Sequence, residues 1–278
     1  MSDTHTLTLC ADGLRSRVRI TGDAALPTLV LLHDGAYGTD GDLCWGPVMY
    51  TLSAHFHVVV PDLLGWGGSD KVAFFDRSPY APRLHQVASV CRTLCLFDQG
   101  IFLAGVSFGA ELAVLAAAEP EWGIRPRAVV SISGTGGRLY RVDAALKALG
   151  EYEPSPAAAR ELTQALTAGM PGLDAHAERR YSQSLTRGHW ETLSAARLHN
   201  PATGHVAPDD TWIDRLDDVS VPVLFVEGRE DGLMERGWAQ KMAKRVPGGS
   251  WREIDGGHEP NLDHPAGVAD LLREFFLG

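Results

Sequence analysis

The strongest constraint on the fold is a serine flanked by glycines, in the segment Gly105-x-Ser107-x-Gly109. The apolar residues 101–104 before it are typical of a short buried strand, and residues 112–116 after it carry apolar side chains at helical spacing. A serine at such a junction lies in a sharp turn whose strained, crowded backbone requires glycine two residues to either side. The segment therefore predicts a serine hydroxyl raised clear of the sheet; a serine that merely caps the helix is the alternative.

Apolar runs elsewhere in the chain alternate with helical patterns. Strands are predicted at residues 28–32, 57–61, 127–133, 222–227 and 250–254, and a hairpin at 6–11 and 15–21. Helices are predicted at residues 46–54, 80–97 and 264–276. This alternation indicates an α/β fold, with a mostly parallel eight-stranded sheet covered by helices on both faces.

The alternation breaks between residues 138 and 218, where no strand pattern is present. Helical patterns at 141–149, 156–168, 173–186 and 190–198 are separated there by glycines and prolines. We expect this insert to form a helical cap, or lid, over the carboxyl edge of the sheet; further doubly wound structure is the alternative. The predicted organisation is a core of residues 1–137 and 219–278 with a cap at 138–218.

Charge and composition restrict the partners of the chain. The 278 residues carry a net charge of -10, which opposes binding to nucleic acid or to an anionic membrane. No apolar run is long enough to cross a bilayer, and the first residues lack the pattern of a signal peptide. We therefore expect a cytoplasmic protein that acts on a small-molecule substrate, and a homodimer is compatible with this interpretation.

Cysteine spacing gives no indication of a metal site. The four cysteines, at positions 10, 44, 91 and 95, do not follow any zinc-binding pattern. We interpret them as reduced thiols and expect neither a metal ion nor another cofactor.

A serine hydroxyl is a weak nucleophile, and it requires a base that a carboxylate holds in one tautomer. Asp231 and His258 each follow a predicted strand, as Ser107 does, so all three side chains are expected at the same edge of the sheet. The three residues are therefore predicted to form a catalytic triad. Glu230 and Asp255 are the alternatives to Asp231 as the carboxylate.

Two backbone N–H groups are the candidates for an oxyanion hole. One belongs to Phe108, directly after the serine, and the other is expected in the loop that follows the strand at 28–32. Gly35 is the preferred donor in that loop and Ala36 the next, whereas His33 is expected to stabilise the loop itself. Each such donor contributes about 3 kcal/mol in the transition state.

The chain resembles the α/β-hydrolase superfamily over nearly its whole length. The segments that carry the resemblance are His33-Asp34-Gly35, residues 61–70, Gly105-Val-Ser-Phe-Gly109, Gly228-Arg-Glu-Asp231 and Gly257-His258. Within the superfamily it looks most like the meta-cleavage product hydrolases, which cut carbon–carbon bonds in vinylogous diketones. The resemblance implies the Ser-Asp-His triad and a helical cap.

The resemblance also suggests substrate contacts. Arg197 matches the cap arginine of that family, which binds a substrate carboxylate or dienolate; an ion pair within the cap is the alternative. Trp190 and Ala36 are further expected contacts. The chain departs from the family pattern beside its nucleophile, where Val106 and Phe108 replace Asn and Met, and after its histidine, where Glu259 replaces Trp.

These observations predict a cofactor-free serine hydrolase that cleaves a small carboxylic ester or lactone through an acyl-enzyme on Ser107. The alternative is a C–C bond hydrolase of a β- or vinylogous diketone. A further alternative is a ligand-binding protein that keeps the triad and turns over slowly.

Overall fold

The computed structural model of the protein describes residues 4–134, 139–195 and 211–278. Its framework is a single eight-stranded sheet in the order β1-β2-β4-β3-β5-β6-β7-β8. The pairs β1–β2 and β2–β4 are antiparallel, and all other neighbours are parallel. The strands are β1 His5–Ala11, β2 Leu14–Thr21, β3 Thr28–Leu32, β4 His57–Pro61, β5 Ile101–Val106, β6 Pro126–Ile132, β7 Val223–Gly228 and β8 Gly249–Ile254. The predicted mostly parallel α/β sheet is confirmed.

Ten α-helices are found in the described ranges. They are α1 Gly41–Leu52, α2 Tyr80–Thr93, α3 Phe108–Ala118, α4 Asp143–Gly150, α5 Pro156–Leu166, α6 Leu173–Ser184, α7 His189–Ser194, α8 Trp238–Ala243, α9 Pro260–Asp263 and α10 Pro265–Leu277. Helices α2, α3 and α8 pack on one face of the sheet, and α1 and α10 pack on the other.

The central strands bury side chains on both faces, and this explains their continuous apolar sequences. All five residues of β3 and all six of β5 are buried. Trp238 on one face and Trp45 on the other are fully buried against these strands. The rigid sheet fixes the positions of the loops at the carboxyl ends of its strands.

Helices α4 to α7 lie between β6 and β7 in the chain. Their apolar side chains form a separate small cluster, in which Tyr152, Leu162 and Leu166 pack with Tyr37 and Leu233 from the loops of the sheet. No strand interrupts the described residues of this segment. The division into a core and a cap at 138–218 remains a prediction.

One anchor ties this helical segment to the sheet loops. The His189 ring accepts a hydrogen bond from the Gly38 N–H at 2.8 Å, and its other nitrogen lies 2.9 Å from the Gly65 carbonyl. The ring is 1% exposed, and burial lowers the pKa of His189 to about 4. His189 is therefore neutral, with its proton on Nδ1.

The predicted element bounds differ from the structure in a few places. Helix α1 begins five residues earlier than expected, because the Asp40 carboxylate caps it by accepting the Leu43 N–H at 2.7 Å. Helix α2 ends at Thr93, and a 3₁₀ turn covers Leu96–Gln99. Helix α8 was not predicted. Within the described part of the chain, none of the helices is both long and apolar enough to cross a membrane.

Candidate active site

The turn after β5 holds Ser107 in a strained backbone conformation, with φ 52° and ψ -119°. A Cβ atom on Gly105 would clash with the Gly109 backbone, and a Cβ atom on Gly109 would clash with the carbonyl of Leu32. Glycine is thus the only residue that fits on either side of Ser107. The serine hydroxyl consequently stands above the end of the sheet, at the start of α3.

A chain of hydrogen bonds joins Ser107 to the two predicted partners. His258 Nε2 lies 2.9 Å from Ser107 Oγ, and His258 Nδ1 lies 2.9 Å and 3.1 Å from the two carboxylate oxygens of Asp231. Because the carboxylate can only accept, the His258 Nδ1 atom carries a proton and its Nε2 atom faces the serine. The side chains of His258 and Asp231 are almost completely buried, at 3% and 2% exposure.

The two alternative carboxylates lie elsewhere. Asp255 forms an ion pair with Arg229, and its side chain is 66% exposed. Glu230 is exposed as well. Asp231 instead accepts the N–H of Leu233 at 2.8 Å, and this bond aims its carboxylate at His258.

Gly35 and Phe108 lie side by side next to Ser107. A Cβ atom built on Gly35 would be 3.0 Å from the Cβ of Phe108. In the described ranges neither N–H donates to another group, whereas the Ala36 N–H donates to Asp34 Oδ1 at 2.7 Å. Of the two loop donors that the sequence left open, Gly35 therefore has the N–H that is available to a substrate oxygen.

Polar contacts hold the loop that carries Gly35. The His33 ring accepts the Leu63 N–H at 2.9 Å and therefore donates from Nδ1 to the Asp34 carbonyl at 2.6 Å. The Trp66 indole donates to the Ala36 carbonyl at 2.9 Å. Asp34 also accepts the Thr39 hydroxyl at 2.7 Å. His33 thus stabilises its own loop, as the sequence predicted.

These groups open into a cavity of about 270 Å³ between the sheet edge and the helical segment. The wall is largely apolar, with Leu149, Leu162 and Leu166 from α4 and α5 facing Trp66 and Phe108 from the sheet side. A cavity of this size suits a small ligand. Among the described residues, no group of three His, Cys, Asp or Glu side chains could hold a metal ion.

The predicted substrate contacts have different outcomes. Ala36 lines the cavity. Trp190 does not: its indole donates to the Tyr152 carbonyl at 3.1 Å, and its side chain borders a separate depression with Glu153 and Arg187. This placement corrects the expectation for Trp190, because the hydrogen bond to Tyr152 holds its indole outside the set of residues that line the cavity. Arg197 lies outside the described residues.

Sequence patterns missed two sets of ionisable groups that line the cavity. Glu111 on α3 forms an ion pair with Arg141 and accepts the Tyr80 hydroxyl at 3.1 Å. The second group is a carboxyl pair, Asp34 and Glu259, which lies behind the Gly35 loop. Glu111 occurs one helical turn after Ser107, which is the one local signal that could have indicated it.

Comparison with known proteins identifies the family of this chain. The pattern of the alpha/beta hydrolase family matches residues 29–271. The 2-hydroxymuconate semialdehyde hydrolase of Pseudomonas sp. (strain CF600) is 26% identical over 279 residues, covering 96% of this chain and 92% of that protein. The 2-hydroxy-6-oxo-2,4-heptadienoate hydrolase of Pseudomonas putida is 26% identical over 261 residues, covering 89% of this chain and 88% of that protein.

Solved structures show the same fold. The meta-cleavage product hydrolase from Pseudomonas fluorescens IP01 superposes with a TM-score of 0.81 at 19% identity, and the match covers 97% of each chain. Since the family pattern spans most of the sequence, this chain belongs to the alpha/beta hydrolase family and is a hydrolase.

Proposed function

We propose that this protein is a serine hydrolase that cleaves a carbon–carbon bond in a small vinylogous diketone acid. The observation that carries the proposal is the hydrogen-bonded chain Ser107–His258–Asp231, which ends beside two available N–H groups in a largely apolar cavity. Nucleophile, base and orienting carboxylate in this order are the requirements for attack on a carbonyl. The two relatives described above, both matched over most of their length, are named as hydrolases of 2-hydroxymuconate semialdehyde and of 2-hydroxy-6-oxo-2,4-heptadienoate.

In the first step, Ser107 Oγ attacks the substrate carbonyl carbon while His258 Nε2 takes the serine proton. The new bond between Oγ and the carbonyl carbon gives a tetrahedral intermediate, whose oxyanion accepts hydrogen bonds from the N–H groups of Gly35 and Phe108. Asp231 accepts the His258 Nδ1–H and stabilises the positive charge that forms on the ring. The positive end of α3 also points at the oxyanion.

In the second step, the carbon–carbon bond next to the carbonyl breaks. Its electron pair moves through the conjugated double bond onto the second carbonyl oxygen, and the leaving fragment receives the proton from His258. For this delocalisation the substrate must first be in its ketone form, and His258 is the base that can move that proton. Water, activated by His258, then hydrolyses the acyl-enzyme and restores Ser107.

The helical segment fits this chemistry as a cap, which we propose comprises residues 138–218. Leu149, Leu162 and Leu166 line the same cavity as Ser107. A dry site strengthens the hydrogen bonds to the oxyanion, because less water competes for them.

The experiment compares C–C bond hydrolysis with ester hydrolysis by the same purified protein. Purified protein is assayed separately with 2-hydroxy-6-oxo-2,4-heptadienoate and with p-nitrophenyl acetate. Both substrates would transfer the same acetyl group to Ser107. We expect kcat/KM for the dienoate to exceed that for the ester. Turnover of the ester without any consumption of the dienoate would overturn the C–C proposal and leave the serine mechanism intact.

Ester hydrolysis is the second candidate, and one observation favours it. Three positions in contact with the catalytic residues depart from the meta-cleavage pattern, namely Val106, Phe108 and Glu259. A simple ester needs only the nucleophile, the base and the oxyanion donors, so these departures do not affect it. The same comparison of kcat/KM for the two substrates decides between the two candidates.

A further inference from the structure

Directly after His258 the chain places a carboxyl group that the proposed mechanism does not use. Glu259 is 0% exposed, and neither of its carboxyl oxygens receives a hydrogen bond from a donor in the described part of the chain. Its carboxyl group lines the same cavity as the neighbouring carboxyl of Asp34, which is 1% exposed. Two buried carboxylates in contact would repel each other strongly.

The cation beside the pair does not neutralise both charges. Arg180 Nη2 lies 3.7 Å from Glu259 Oε2, which is too long for a hydrogen bond, and Arg180 Nη1 donates to the Tyr37 carbonyl at 3.1 Å. Asp34 is already an acceptor, because both of its oxygens receive hydrogen bonds, from Ala36 and Thr39. The one arrangement that satisfies the pair is a proton on Glu259 that is donated to Asp34.

We propose that Glu259 is an uncharged carboxylic acid that donates a hydrogen bond to Asp34, and that this bond positions the Gly35 N–H opposite Ser107. Asp34 holds the turn of the Gly35 loop through the Ala36 N–H. Glu259 belongs to the loop of His258 and is itself fixed by its N–H, which donates to the Leu166 carbonyl at 2.8 Å. The shared proton thus joins the loop of the base to the loop of the oxyanion donor.

The surroundings agree with an uncharged Glu259. Burial and the neighbouring Asp34 carboxylate raise the pKa of Glu259 well above its usual value. The titratable and charged groups that face it are Asp34 from the Gly35 loop, Cys44 from α1, Arg180 with His176 behind it from α6, Asp263 from α9, and His258 beside it in the chain. Burial raises the pKa of the Cys44 thiol and lowers that of His176 to about 3, so both stay neutral and neither adds a charge beside the pair.

Glu259→Gln is the test variant, since an amide N–H can donate to Asp34 as the acid does. We expect its kcat near neutral pH to stay within about threefold of wild type, whereas Glu259→Ala should lose at least about tenfold in kcat with a smaller change in KM, because one oxyanion donor is displaced. If Glu259 is instead an ionised partner of Arg180, Glu259→Gln will lose stability and activity as Glu259→Ala does. That result would overturn the proposal.

The pH profile separates a positioning role from a purely structural one. When wild type is titrated upward, ionisation of Glu259 sets two carboxylates against each other, so kcat should fall on the alkaline side. Glu259→Gln should lose this alkaline decline, whereas Glu178→Gln, an exposed residue on α6, should keep it. An alkaline decline that persists in Glu259→Gln would contradict the proposal.

Stability gives a readout that needs no substrate. The unfolded state loses the Glu259 proton near the usual value of 4.5, whereas the folded state keeps it, so the folded state binds more protons above that pH. The stability of wild type relative to Glu259→Gln should therefore fall by about tenfold in the unfolding equilibrium constant per pH unit above 4.5. A constant difference between the two proteins would contradict the proposal.

A measurement on wild type alone covers the case in which the variants do not fold. With ¹³C-labelled glutamate carboxyls in wild type, one NMR resonance should remain that of the acid at neutral pH. Ionisation of every glutamate at neutral pH would overturn the inference. The kinetic tests rest on the proposed function, but the NMR and stability tests do not, so failure of one is distinguishable from failure of the other.

Discussion

The glycines of the sheet edge and those of the helical segment differ in the space around them. At the sheet edge, a Cβ atom on Gly105, Gly109 or Gly228 would clash with the neighbouring backbone. In the helical segment, a Cβ atom on Gly150 or Gly169 would meet no atom within 4 Å. The sheet edge is therefore fixed by close backbone contacts that tolerate no side chain, whereas the helical segment is held by side-chain packing and a few polar anchors.

This difference indicates that the sheet edge carries the proposed catalytic groups, whereas the helical segment determines which substrates fit. The proposed nucleophile and both oxyanion donors depend on backbone positions, which hardly vary with the surrounding side chains. The opposite wall consists of interchangeable apolar side chains such as Leu149 and Leu162, which define the shape of the cavity. Changes at the sheet edge should abolish catalysis or folding, and changes in the helical segment should alter stability or substrate choice.

Ser107→Ala should have the largest effect, a loss of roughly 10⁶-fold in kcat. Its hydroxyl bonds to His258 at 2.9 Å and contributes little packing, so the melting temperature should hardly change. Ser133→Ala is the matched control, because Ser133 shares a φ of 52° and also lines the cavity. Comparable losses in both variants would contradict the role of Ser107 as nucleophile.

Asp231→Asn should lower kcat by about 10⁴-fold, since the amide can no longer hold His258 in the productive tautomer. The same substitution at Asp255, which is paired with Arg229 at the surface, should have no comparable effect. The check is kcat of both variants on one ester. Full activity of Asp231→Asn would reassign the carboxylate.

Gly109→Ala should destabilise the fold by about 3 kcal/mol, because the new methyl group displaces the backbone of Leu32. Gly150→Ala, at the end of α4, should change stability by less than about 1 kcal/mol. Chemical unfolding of the two variants measures the comparison between the walls directly. Equal losses would show that both walls depend on close backbone contacts.

The sequence predicted the sheet edge well because its signals are local. Ser107, Asp231 and His258 each follow a predicted strand, and parallel strands bring their carboxyl ends to one edge, so position along the chain was sufficient. The glycines beside Ser107 are required by contacts of the turn with its own neighbours. The eight strands were predicted for the same reason.

The other groups of the cavity could not be predicted, because they are defined by contacts between distant segments. Glu111 forms an ion pair with Arg141, and the carboxyl of Asp34 interacts with that of Glu259. No periodicity in the sequence links the two members of either pair. Helix α8 has only six residues, too few to show a helical repeat. Trp190 was expected at the substrate, but the direction of a side chain within a short helix depends on its packing.

Acid should weaken the anchor of the helical segment by up to about 3 kcal/mol. Folded His189 stays neutral to about pH 4, whereas an unfolded imidazole takes up its proton near 6.5, so the unfolded state binds more protons between these values. Stability should therefore fall as pH is lowered from 6.5 to 4, and a protonated ring also loses the Gly38 N–H. The difference in unfolding free energy between wild type and His189→Gln, measured across this range, should be largest at pH 7 and smallest at pH 4.

The smallest expected effect concerns substrate charge. A diketone acid brings a carboxylate into the cavity, where an unpaired charge is costly unless a cation meets it. Arg141 lines the cavity but already neutralises Glu111, so Arg197 of the predicted cap is the better candidate. Arg197→Ala should lower kcat/KM for an acidic dienoate by about 2 kcal/mol and should leave a neutral ester nearly unchanged.

The double variant Arg141→Gln with Glu111→Gln is the control for Arg197→Ala, because it removes a cation from the cavity wall without leaving its buried partner charged. We expect it to affect acidic and neutral substrates alike, since the pair that it removes has no net charge. The measurements are kcat/KM for one dienoate and one ester, with the melting temperature of each variant. If Arg197 instead pairs within the cap, for example with Glu191, its alanine variant will melt lower and lose activity on both substrates equally. That outcome would remove Arg197 from the substrate site and leave the selectivity of the cavity to its apolar wall.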